Sequence, residues 1–148
     1  GEIRCKNIAN DCLDFSNSNG NVDYVYGDII ADKLLSLGEK SFINFQNVSA
    51  NNTGIGVAVK DGSNVTIQNL SLKNTDLEIS VFIKKNEFGQ PALKVYSLTG
   101  DKTPFILSNS LKHLSITNSS KDFEYQLLTS SEIQDRMYGA EFGKKTIK

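Results

Sequence analysis

The sequence predicts an all-β fold in which one chain winds into a stacked parallel solenoid. The first reason is a repeat of 22 residues: Leu13, Leu35, Val57 and Ile79 are evenly spaced, and Phe15, Leu37, Val59 and Val81 keep the same interval. Within each coil the two members are two residues apart, so both point to one face of a strand. Apolar pairs recurring at a fixed period are the mark of stacked coils. The second reason is another column of pairs, Ile3/Cys5, Val22/Tyr24, Ile43/Phe45, Val65/Ile67, Leu93/Val95 and Leu114/Ile116, with steps of 19, 21, 22, 28 and 21. The third is that amphipathic helical periodicity is weak through residues 1–120. An α/β barrel or doubly wound sheet needs helices between its strands. A β-sandwich does not predict a register kept at 22 residues.

Each element follows from this frame. Four residues into the second column stand Asn7, Asn47, Asn69 and Asn118, with Tyr26 and Ser97 in the other two coils. Stacked about 4.8 Å apart, these amides are expected to form a structural ladder at an inner turn. The step of 28 marks an insertion at KKNEFGQP, residues 84–91, expected to be a loop that tolerates shortening. The period fades after about residue 118. Residues 129–139 read as a short helix, with Thr129 and Glu132 at capping-box spacing and Gly139 as the stop. This predicts coils over 1–120 and a C-terminal capping segment over 121–148 whose helix covers the last coil. No matching cap precedes Ile3. The first coil's edge is therefore expected to be covered by a preceding coil, another domain or a neighbouring chain, because an open sheet edge invites association.

Composition bounds the function. The 148 residues include 16 Lys and Arg against 17 Asp and Glu, a balance that argues against a general nucleic-acid or membrane-surface binder. There is no apolar run of transmembrane length. The opening GEIRCKNI has no signal-peptide pattern. Cys5 and Cys12 have neither a zinc spacing nor the numbers of a disulfide framework, and are expected to be unpaired or merely adjacent thiols in a coil turn.

With coils assigned, NDCLDFS (10–16), DKLLSLGEKS (32–41), GIGVAVKDGS (54–63), IKKNEFG (83–89) and MYGAEFGKKT (137–146) resemble one group. These are bacterial β-helix modules at the C-terminus of larger proteins, sometimes behind a spore-coat-kinase-like (CotH-like) domain. The resemblance implies a right-handed single-stranded parallel β-helix of the pectate-lyase-like superfold with a short C-terminal helical cap. It implies no activity and hence no catalytic residues.

Two polar groups are candidate sites. Glu39 and Asp61 are 22 residues apart and occupy equivalent turns, as do Ser41 and Ser63; Lys40 and Lys60 lie beside them. Stacked carboxylates attract a cation or a sugar, although Ca²⁺ wants six to eight oxygens. The alternative is a charge-compensated turn in which the two lysines neutralise the two acids. The second group is Asn10, Asp11 and Asp14 with Asp32 and Lys33. Asp11 and Lys33 share a column and are expected to pair. NDCLDF superficially resembles the Asp-rich strands of polygalacturonases, whose carboxylates act as acid and base. However, Asp14 is followed in its column by Ser36, Ala58 and Ser80, which cannot do that chemistry. That small, flat column is itself a candidate surface for a polysaccharide or protein. Phe82 is its candidate outward aromatic, while Tyr24 and Phe45 should point inward. His113, the single histidine, reads as a surface residue.

The expected function is a non-catalytic structural or carbohydrate-associated module of a larger bacterial surface or extracellular protein, with no metal or cofactor assigned beyond a Ca²⁺ option. The alternatives are a fragment of a polysaccharide lyase or glycoside hydrolase using Asp11, Asp14 and Asp32, and an oligomerisation module built by coil stacking.

Overall fold

A computed structural model describes residues 1–139 and 141–142. The remaining residues, which include part of the 121–148 segment and of MYGAEFGKKT, lie outside the described ones. The described chain is a parallel β-solenoid of six rungs. The first rung is β1 (Glu2–Ile8) with β2 (Leu13–Ser16). The next three are the long, bent strands β3 (Asn19–Gly38), β4 (Phe42–Lys60) and β5 (Asn64–Phe82). The fifth is β6 (Ala92–Gly100) with β7 (Phe105–Ser108), and the sixth is β8 (Leu114–Ser119) with β9 (Glu124–Leu127). Every pairing between rungs is parallel. The 22-residue column stacks as the repeat predicts: Leu13 on Leu35, Val57 and Ile79, and Phe15 on Leu37, Val59 and Val81.

The second column holds from Ile43 onward but slips in the first two rungs. Gly20 lies opposite Ile43, and Val22 lies opposite Phe45. Val22 is thus the second apolar residue of its run, and a glycine stands where the other coils carry the first. Ile3 and Cys5 lie opposite Val25 and Gly27. They belong to the run after the corner, the one that continues as Val48/Ala50 and Leu70/Leu72.

The same slip moves Asn7 out of the expected asparagine column. That column runs Glu2, Tyr24, Asn47, Asn69, Ser97, Asn118. Asn69 Nδ2 donates to Asn47 Oδ1 at 3.1 Å, on the surface rather than at an inner turn. Asn7 sits instead at a left-handed corner with Ile29, Asn52 and Asn74, whose φ angles are 57°, 58°, 54° and 47°. Asparagine tolerates this conformation because its short polar side chain bonds locally. Here Asn74 donates to Asn52 Oδ1, and Asn52 donates to Asp28 Oδ1.

The helix α1 spans Ser130–Met137 and carries the predicted reciprocal cap between Thr129 and Glu132. Its buried residues Ile133 and Met137 pack with Ile55, Ala58, Leu77, Phe82 and Leu107. Those partners come from three successive rungs, so the helix seals a flank of the stack rather than lying across its last coil. This explains the column of small residues. Ser36, Ala58 and Ser80 are 1 %, 0 % and 0 % exposed, and small side chains let the helix approach the sheet, with Ser80 Oγ donating to Met137 Sδ at 2.9 Å. The column is therefore not an open ligand surface, and Phe82 is buried beneath the same helix.

Cys5 and Cys12 are joined by a disulfide across the first corner, with Cα atoms 5.8 Å apart, which corrects the expectation of unpaired or merely adjacent thiols. It ties β1 to β2 within the first described rung. Ile3, Ile8, Leu13 and Phe15 are only half-buried because a rung stacks on one side of them alone. Closing so short a loop is worth roughly 2–3 kcal/mol in the chain-entropy account. The Cys5→Ser/Cys12→Ser double variant is expected to lose about that much in denaturant unfolding, with new amide exchange confined to residues 2–16.

Candidate functional site

The predicted acidic cluster assembles on the flank where α1 ends. Lys33 is buried, and its Nζ pairs with Asp32 Oδ1 at 3.0 Å and Asp11 Oδ1 at 3.4 Å. Asp11 Oδ1 also accepts the Lys33 backbone N–H at 3.1 Å. Burial pushes the Asp11 carboxyl above its ordinary range, with Lys33 opposing. Burial pulls Lys33 down, but Asp11 and Asp32 outweigh it and leave the ammonium raised. The Tyr138 ring lies over this group, its centre 5.3 Å from Lys33 Nζ and 5.0 Å from Lys84 Nζ. Lys60 reaches the same flank and donates to Ser36 Oγ at 3.1 Å. Burial, then the charges of Lys33 and Lys84, hold its ammonium below the usual lysine range. Asp14 stands exposed at the foot of the column. Asp11, Asp32 and Lys33 therefore form a self-satisfied triad, of the kind that buried charges require.

The stacked carboxylates of the next turn are separated in use. Glu39 pairs with Lys85, which draws its carboxyl below the ordinary range, Lys60 adding only a minor pull. Asp61 is 2 % exposed, and its Oδ1 accepts the backbone N–H groups of Lys84 and Lys85, each at 2.7 Å. The insertion folds back over this turn. Gly62 N–H donates to Gly89 at 2.8 Å, and at φ 68° a Cβ on Gly62 would lie 2.2 Å from the Phe88 carbonyl. Compensation thus comes chiefly from the insertion, with Lys60 adding a minor pull on Glu39, and trimming residues 84–91 is constrained by these bonds. Lys40 is exposed and makes no ion pair among the described residues. The serine column is structural: the backbone N–H of Ser41 donates to Ser63 Oγ at 3.1 Å, and that of Ser18 to Ser41 Oγ at 3.3 Å. Among the described residues, no group of three or more His, Cys, Asp or Glu is placed to hold a metal ion, and no helix is long and apolar enough to cross a membrane.

Sequence reasoning did not single out the outward face of the opposite strands. Asn44, Thr66, Lys94 and Ser115 stack there from rung to rung, and Gln46, Gln68, Tyr96 and Thr117 flank them. Phe42 and Tyr96 are 50 % and 40 % exposed. The available signal was the alternation itself, since these positions interleave with the buried column. Phe45 points inward as expected, and Tyr24 is half-buried under Arg4.

A further acid, Glu78, missed in the sequence, is 3 % exposed. Burial raises its pKa above the ordinary value, although it accepts the Phe105 N–H at 2.6 Å and pairs with Lys102 at 3.5 Å. Glu78 and Asp11 both have raised folded-state pKa values, so the folded chain holds more protons there than the unfolded chain. Their contribution to stability is present below the unfolded value and is lost as pH rises through the folded one. Glu39 and Glu141 act oppositely, their lowered values costing stability as pH falls further. Maximal stability is expected at mildly acidic rather than neutral pH. Glu78→Gln should flatten the loss between that maximum and neutrality in urea titrations at several pH values.

No protein family matches the chain, and neither does any curated protein or solved structure.

Proposed function

We propose that the chain is a non-catalytic β-solenoid module of a larger bacterial surface or extracellular protein, structural or carbohydrate-associated in role. The observation that carries this reading is the employment of the candidate acids: Asp11 and Asp32 on Lys33, Glu39 on Lys85, and Asp61 on two backbone amides. A general acid and base need freedom to exchange protons with a substrate. These groups are committed to holding corners together. The disulfide suits an oxidising compartment. The motifs that resemble the C-terminal modules of CotH-like proteins support the bacterial modular setting, and the amide-rich outward face with Phe42 and Tyr96 supports contact with sugars. The test is retention and turnover on acidic and neutral polysaccharides, with and without Ca²⁺. Retention without new reducing or unsaturated ends is expected.

A lyase or hydrolase fragment remains the rival because of Lys60, whose depressed ammonium sits within electrostatic reach of Asp14. New chain ends that vanish in Asp14→Asn would establish it. The half-buried first rung favours coil stacking as a third role, and a strictly monomeric chain in concentrated sedimentation runs would exclude that.

A further inference from the structure

Resting on the carbohydrate-associated reading, we propose that a groove across β5, β6 and β8 binds one acidic sugar unit, its carboxylate or sulfate held by Lys94, Lys112 and His113. The groove has a volume of about 230 Å³, below the 300–1,000 Å³ of sites for drug-sized ligands and suited to a single ring. Its lining mixes apolar and polar residues, Ala92, Leu93 and Leu114 with Asn64, Thr66 and Ser115. That combination matches a sugar, which has an apolar ring face and hydroxyl edges.

The charge of the lining is one-sided. Lys94 and Lys112 line the groove, His113 adds a ring nitrogen donor, and no carboxylate lines it. None of the three makes a salt bridge among the described residues. The nearest cationic contact is Lys94 Nζ at 5.9 Å from the centre of the exposed Tyr96 ring, which leaves its ammonium free to meet an anion. Asp23, an acid on this face, is in the column of Tyr96 but three rungs away, about 14 Å at the strand spacing. The wall carrying Lys112 and His113 is braced: the side-chain amides of Gln90 and Asn109 bond reciprocally at 3.0 and 3.4 Å, tying the insertion to the turn that leads into them. Donors on a braced surface lose less freedom on binding.

The test is an NMR titration of the 148-residue chain with a uronic-acid trisaccharide, a sulfated trisaccharide, a neutral trisaccharide and sodium sulfate alone. One or both charged sugars should shift the Thr66, Lys94 and His113 amides saturably, and which of them binds identifies the anion. The neutral sugar should bind at least ten-fold more weakly. Lys94→Gln/Lys112→Gln, two exposed positions, should weaken the charged ligand at least ten-fold, whereas Lys84→Gln on the other flank should not. Equal affinity for the neutral sugar, or a double variant that binds normally, overturns the groove while leaving carbohydrate association intact. Shifts with sulfate but no sugar overturn the saccharide assignment, and silence with every ligand overturns both readings.

Discussion

Val57→Asp is expected to destabilise the fold severely. Val57 is fully buried, stacked between Leu35 and Ile79 in the central column. A carboxylate there has no cation to meet, because its neighbours in the core are aliphatic and aromatic. The site must either bury a charge or hold a neutral acid with unmet hydrogen bonds, and both are among the largest single-site costs, beyond about 4 kcal/mol. Since a small domain is stable by only about 5–15 kcal/mol, most of its margin goes. In a solenoid each rung touches only its neighbours, so the damage should divide the stack: exchange protection falls first in β3, β4 and β5 rather than at the ends. A wild-type melting curve for this variant would mean that the 22-residue column does not face the core. Val57→Ala, losing volume without adding polarity, should cost about 2–3 kcal/mol and keep a single transition.

This central register was legible in the sequence because stacking imposes it: a residue and its partner 22 positions on share one environment, so apolar identity repeats. Where legibility failed, a local feature broke that equivalence. Gly20 lies opposite Ile43 without an apolar side chain, and the first described rung lacks the strand before the corner that the other rungs possess, so apolar pairs alone aligned Ile3 with Val22 instead of Val25. Two cysteines seven positions apart carry no pairing information by count, and only the corner between β1 and β2 brings them together. The role of Ser36, Ala58 and Ser80 depended on a helix, Ser130–Met137, that begins well beyond all three, and small residues read equally as an open surface or a docking strip. The pairing of Asp11 with Lys33 was legible because the two share a column. The partner of Glu39 was not, since Lys85 reaches it through an insertion that lies outside the repeat.

Asp61 makes that last point testable, because a carboxylate serving as a ligand group and one serving as a backbone acceptor respond differently to substitution. Both loop amides reach the same oxygen, Oδ1, at 2.7 Å, and the residue is in the left-handed region at φ 53°. Asparagine keeps an acceptor oxygen at that position and tolerates the conformation. Asp61→Asn is therefore expected to cost under about 1–2 kcal/mol, the difference between charged and neutral acceptors. Asp61→Ala removes the acceptor from two partly buried amides and puts alanine at positive φ. These losses combine to about 3–4 kcal/mol, with residues 83–89 losing exchange protection first. If Asp61 instead served a cation, the charge itself would matter, and Asn and Ala would be equally damaging to a Ca²⁺-dependent rise in melting temperature. A mild Asn and a severe Ala, both indifferent to Ca²⁺, assign this acid to the architecture: it fastens the insertion onto the turn, and the insertion in turn braces the wall of the groove through Gln90 and Asn109. On that chain of contacts, Asp61→Ala should also weaken an acidic sugar bound on the far face, although Asp61 does not line the groove.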